Sequence, residues 1–119
     1  MDNKERPSVE NLLIFQKAYD YVKWVIPTVE RFPKSQRFTL GAYIANNSIE
    51  MLDLVIEAQY SRNRQPLLEK LNTVLEKLRL FIRMAKELQF LPFSKYESGT
   101  KMLVELGRMV GGWKKGGQR

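Results

Sequence analysis

The chain has 119 residues, 44% hydrophobic and 28% charged, a balance that makes one globular domain rather than a disordered segment. It contains no cysteine and no histidine, which removes disulfides, thiol chemistry, the commonest general base and the commonest transition-metal ligand together. Twenty Lys and Arg stand against 13 Asp and Glu, a formal charge of +7, and the pI of about 9.8 lies where a nucleic-acid partner becomes a reasonable expectation.

No apolar run reaches the ~18 residues of a membrane span, and Met1–Pro7 lacks the apolar stretch of a signal peptide. A cytoplasmic protein with no membrane role is expected. Residues 1–8 read as a flexible polar arm. Ser8 is then a candidate N-cap, and Leu12, Phe15, Tyr19, Val22, Ile26 and Val29 recur at helical spacing as the main stripe of a first helix. Leu13, Ile14, Trp24 and Val25 fall off that stripe. Pro27 is expected to kink the helix near Lys23 and Trp24, and Pro33 to end it at or before Phe32.

Ser35 is a candidate cap for the second helix. Lys34 and Arg37 put positive charge at a helix start, where the dipole disfavours it, which marks either an inert surface or an anion site. Phe38, Ala42, Ala45, Ile49, Leu52, Val55 and Ile56 form the expected stripe, while Leu40, Tyr43, Ile44, Met51 and Leu54 spill onto a second face. Glu50, Asp53 and Glu57 make an acidic row without matching cations on the same helix.

Asn63 can cap a third helix that tolerates Pro66 in its first turn. Its stripe is the cleanest: Leu67, Leu68, Leu71, Val74, Leu75, Leu78, Phe81, Ile82, Ala85 and Leu88. Phe90-Leu91-Pro92-Phe93 breaks it, and Ser94 with Glu97 has the spacing of a capping box. Met102, Leu103, Leu106, Met109, Val110 and Trp113 follow on a fourth helix, which Gly116-Gly117 should dissolve into a basic tail over residues 116–119. Gly107 and Gly111 form a smooth strip that suggests close approach of another helix, from this chain or a neighbour. Four helices with short connections make an all-α, up-down-up-down antiparallel bundle over residues 9–115.

The carboxylates lie on polar helix faces, so neither a di-metal site nor an acid–base pair is indicated, and no enzyme, metal or cofactor is expected. Arg79, Arg83 and Lys86 share one face of the third helix. They form either a solvated face offset by Glu76 and Glu87 or an anion-binding ridge. Lys114 and Lys115 are uncompensated, whereas Glu97, Lys101, Glu105 and Arg108 alternate in sign as a self-paired surface. The expected nucleic-acid contacts are Arg79, Arg83, Lys86, Lys114 and Lys115, with Arg37 beside them. The surplus of apolar residues, Leu13, Trp24, Tyr43 and Met51 among them, predicts a homo-oligomer. In it Trp24, Tyr43, Met51 and the acidic row Glu50, Asp53 and Glu57 would face a neighbouring subunit.

The Phe32-Pro33-Lys34-Ser35-Gln36-Arg37-Phe38 junction, Leu78-Arg79-Leu80-Phe81-Ile82-Arg83 and Glu105-Leu106-Gly107-Arg108-Met109-Val110-Gly111-Gly112-Trp113 together resemble the four-helix-bundle family of the 23S rRNA intervening-sequence protein. Within it the chain looks most like the accessory variability proteins (Avd) of diversity-generating retroelements. The resemblance runs from about Leu12 to Lys115 and implies a ring-like homopentamer with a basic surface. In the Avd branch it further implies binding to the element's reverse transcriptase and to RNA, with DNA as a further candidate, in support of mutagenic cDNA synthesis. In the intervening-sequence branch it implies a structural oligomer with non-specific nucleic-acid binding and no reverse transcriptase partner.

Overall fold

The computed structural model describes the backbone of residues 9–117 and the side chains of residues 13–116. Four helices account for nearly all of it: α1 (Val9–Val29), α2 (Ala42–Gln59), α3 (Gln65–Glu87) and α4 (Phe93–Gly117). A single turn, Lys34–Gln36, and a π-helical segment, Arg37–Gly41, lead into α2. Each helix packs on its sequence neighbour and α4 closes back on α1, giving a four-helix bundle measuring 49 × 25 × 22 Å.

The core stripes of α1 and α2 correct the expected ones. On α1 the buried row is Ile14, Ala18, Tyr21, Val25 and Val29, and on α2 it is Ile44, Ser48, Met51, Val55 and Ala58. Phe15, Val22 and Ile26 pack only partly against the core, and Tyr19, Ile49 and Ile56 are exposed. Each of these helices carries two apolar rows, and the inner one recruits small or polar-tipped residues that hydrophobicity passes over. Met51 is fully buried, so it is a core residue and not an interface contact. Trp24, partly buried, packs its indole on Gly99 of α4.

Tyr21 and Ser48 join the two helices at the centre of the core. The Ser48 hydroxyl donates to the Ile44 carbonyl at 2.8 Å, so its one proton is committed. The Tyr21 hydroxyl, 3.3 Å from Ser48 Oγ, is therefore the donor of that second bond. Burial pushes the Tyr21 phenol well above the usual tyrosine range. It stays neutral wherever the bundle is folded and useful.

On α3 most of the expected stripe holds: Leu68, Leu71, Val74, Leu75, Leu78, Ile82 and Ala85 are buried, Leu67 and Phe81 are partly buried, and Leu88, past the helix end, is exposed. The helix ends in a Schellman motif, with the Gln89 amide donating to Lys86 O at 3.0 Å and the Phe90 amide to Ala85 O at 2.9 Å. Gln89 takes φ 67°, the left-handed conformation that glycine adopts without penalty. Gln89→Gly should therefore stabilise the fold by up to about 1 kcal/mol, read as a higher urea midpoint at unchanged m-value.

Helix starts also differ from expectation. Pro33 occupies the N-cap of the first turn in an extended conformation (φ −52°, ψ 143°), so Ser35 lies inside that turn and caps nothing. Arg64, not Asn63, precedes α3, and Pro66 sits in its first turn as expected. The Pro92 carbonyl accepts the first bond of α4 from Tyr96 at 3.0 Å, which puts Ser94 inside the helix and undoes the capping box. The fixed φ of Pro33 and Pro92 sets these starts before a side-chain cap can. Ser8 lies outside the described residues.

Pro27 falls in the last turn of α1, which continues to Val29, so it costs only the bond to the Lys23 carbonyl. Gly41 closes the π segment where a Cβ would stand 3.2 Å from Gln36 O and 3.4 Å from the Phe32 ring, so a side chain would crowd the junction. Gly116 and Gly117 do not end α4, which runs through both. A Cβ on Gly107 or Gly111 would meet nothing within 4 Å, so that strip accommodates no other helix of this chain.

Candidate nucleic-acid interface

The six expected phosphate contacts do not converge. Arg79 pairs with Glu76 at 3.1 Å and Arg83 with Glu87 at 3.1 Å, both on the exposed face of α3. Lys86 Nζ stands 4.8 Å above the Tyr96 ring. A shallow groove of about 300 Å³ lies along this ridge between α3 and α4, with Leu80 and Thr100 in its walls. Exposed ion pairs contribute under about 1 kcal/mol, so both arginines can exchange a carboxylate for a phosphate at small cost.

Lys114 and Lys115 occupy the last turn of α4, at the other end of the bundle. The Arg64 guanidinium 5.1 Å from the Trp113 ring fixes that end beside the start of α3. Arg64 also donates to the Ala58 carbonyl at 3.1 Å and is not free for a ligand. Arg37 lies at the Lys86 end, since Phe32 and Phe90 meet there with ring centroids 6.0 Å apart. Its Nε donates to the Phe32 carbonyl at 3.4 Å, which tethers it to the junction. On α4, Glu105 pairs across to Lys17 of α1 at 3.4 Å instead of with Lys101 or Arg108, so that helix does not pair with itself as expected.

A cleft of about 830 Å³ opens at the Phe32 end, where the end of α1 meets the α3–α4 junction. Lys23, Trp24, Pro27 and Arg31 come from α1 and the turn after it. Lys86 and Gln89 come from the end of α3, and Phe90, Phe93 and Lys95 from the junction and the first turn of α4. No carboxylate of the described residues lines it. Among the described residues none of the four cations belongs to an ion pair; Lys23 rests 5.5 Å from the Tyr19 ring and Lys86 on Tyr96. Lys23, Arg31 and Lys95 carry no signal in the linear sequence, where they lie far apart. Laying four antiparallel helices side by side brings the end of the first against the start of the fourth, which is the one cue available.

The other expected surface lies on α2. Glu50, Asp53 and Glu57 are exposed and form no ion pair among the described residues. Tyr43 is half-exposed and meets the edge of Phe81 on α3 at 4.8 Å, so its contact is at least partly internal. Because Lys17 and Trp24 face α4, the row Phe15, Tyr19, Val22 and Ile26 lies on the α2 side of α1. Because Tyr43 faces α3, the row Ala45, Ile49, Leu52 and Ile56 lies on the α1 side of α2. Together the two rows make one outward apolar face.

Among the described residues no three His, Cys, Asp or Glu side chains gather as a metal site, and no helix is long and apolar enough to cross a membrane. A family model described as bAvd-like matches residues 12–116, a span that takes in all four helices. No curated protein matches the chain.

Proposed function

The chain belongs to the bAvd-like family, and from that membership we propose that it is a non-catalytic accessory protein of a diversity-generating retroelement. It binds the element's reverse transcriptase, and it binds template RNA and cDNA through its basic surface, in support of mutagenic reverse transcription. It works in the cytoplasm as a ring-like homopentamer. The observation that carries this reading is the family match across all four helices, which favours the retroelement branch over the rRNA intervening-sequence branch. The surplus of +7 and the weakly held arginines of α3 support the nucleic-acid part.

The outward apolar face of α1 and α2 supports assembly, since a patch of that kind is costly to leave in water. A ring repeats each basic ridge once per subunit, and linked weak sites bind with avidity. Arg79→Gln with Arg83→Gln should weaken RNA and DNA binding alike. It should also reduce the log–log salt slope by roughly 1.4 to 1.8, the value for two lost phosphate contacts. Circular dichroism and oligomeric state should not change. An unchanged salt slope would remove the ridge from the contact surface, and dissociation of the oligomer would assign those arginines to a neighbouring subunit's acidic row.

A further inference from the structure

The cleft at the Phe32 end differs in kind from the α3 ridge, because its cations lack carboxylate partners and stand around aromatic side chains. We infer that this cleft is a binding site for an unpaired nucleotide segment of single-stranded nucleic acid, its phosphates held by Arg31 and Lys95 and a base stacked on Phe93. The inference rests on the nucleic-acid reading above and adds where, and in what form, the strand is held.

Phe93 is 62% exposed, although it opens a helix and its ring sits 6.0 Å from Tyr96. An aromatic ring left this open beside uncompensated cations has the make-up of a single-strand platform, in which bases stack and the backbone follows positive charge. Pro92, preceding α4, has no side-chain acceptor, so the first-turn amides of that helix add donors and positive dipole on the same side. A volume of about 830 Å³ admits a nucleotide or two but not the width of a duplex. An acidic peptide would satisfy the cations but would leave the exposed ring without a stacking partner.

The test measures fluorescence anisotropy of the full chain with a labelled oligouridylate, a duplex of the same length and an abasic strand. Arg31→Gln with Lys95→Gln should weaken oligouridylate binding about tenfold and lower its salt slope by roughly 1.4. Phe93→Ala should weaken oligouridylate about fivefold or more while leaving the abasic strand unchanged. Both sets of positions are exposed, and circular dichroism confirms the fold of each variant. Equal losses for duplex and single strand, or equal effects of Phe93→Ala on abasic and normal strands, would overturn the proposal. So would displacement of oligouridylate by poly-glutamate at equal charge. If these variants bind normally while Arg79→Gln with Arg83→Gln does not, the cleft is rejected and the wider nucleic-acid reading stands.

Discussion

Met51→Asp should abolish folding, whereas Ile49→Asp, two residues away, should leave a helical chain that fails to form the proposed oligomer. Met51 is 0% exposed in the hydrophobic core cluster. Placing an ionised group there costs several kcal/mol, comparable to the whole stability of a domain this size. Met51→Leu keeps volume and chemistry and should cost under about 1.5 kcal/mol. Ile49 is 43% exposed on the outward apolar face, where aspartate is solvated in the monomer and buried only in an assembly. Far-UV circular dichroism and sedimentation separate the two outcomes. A folded, merely dissociated Met51→Asp chain would return that residue to an interface and refute the core register described above.

Gly99→Ala should destabilise the bundle even though alanine in a helix interior ordinarily gains about 1 kcal/mol over glycine. A Cβ at this position would stand 2.5 Å from Trp24 Cη2 and 2.9 Å from Cζ3, so the indole must leave its seat. The expected net cost is about 1–3 kcal/mol, a fall in Tm of roughly 4–12 °C, and Gly99→Leu should cost more. Adding Trp24→Leu should recover much of the loss, because the smaller side chain vacates the contested space. A Gly99→Ala chain melting higher than the parent would show that α1 and α4 do not meet through this pair.

The helices, their order and the stripe of α3 were legible because a single apolar row with strong periodicity has only one way to face inward. The phases of α1 and α2 were not. Tyr21, Ala18, Ser48 and Ala58 are buried because of what they pack against, and nothing in a one-helix pattern ranks them above Phe15, Tyr19 or Ile49. Gly99 was passed over for the same reason, since its role depends on an indole 75 positions earlier, whereas the conspicuous Gly107 and Gly111 touch nothing in this chain. Caps at Ser35 and Ser94 fail where Pro33 and Pro92 take the boundary by backbone geometry, and α3 starts after Arg64 rather than Asn63. The Arg79 and Arg83 ion pairs were legible from helical spacing. The cleft was not, because its cations come from three segments that only the closed bundle brings together.

The central claim is the partnership with a reverse transcriptase, and co-purification tests it most directly. The tagged chain is expressed with the reverse transcriptase of the same element and its template RNA, then resolved by size exclusion with light scattering. The account predicts one stable peak of fixed stoichiometry containing both proteins, with the accessory chain present in several copies per polymerase. Separate elution of an intact oligomer and a folded, active polymerase, with or without the RNA, would contradict it.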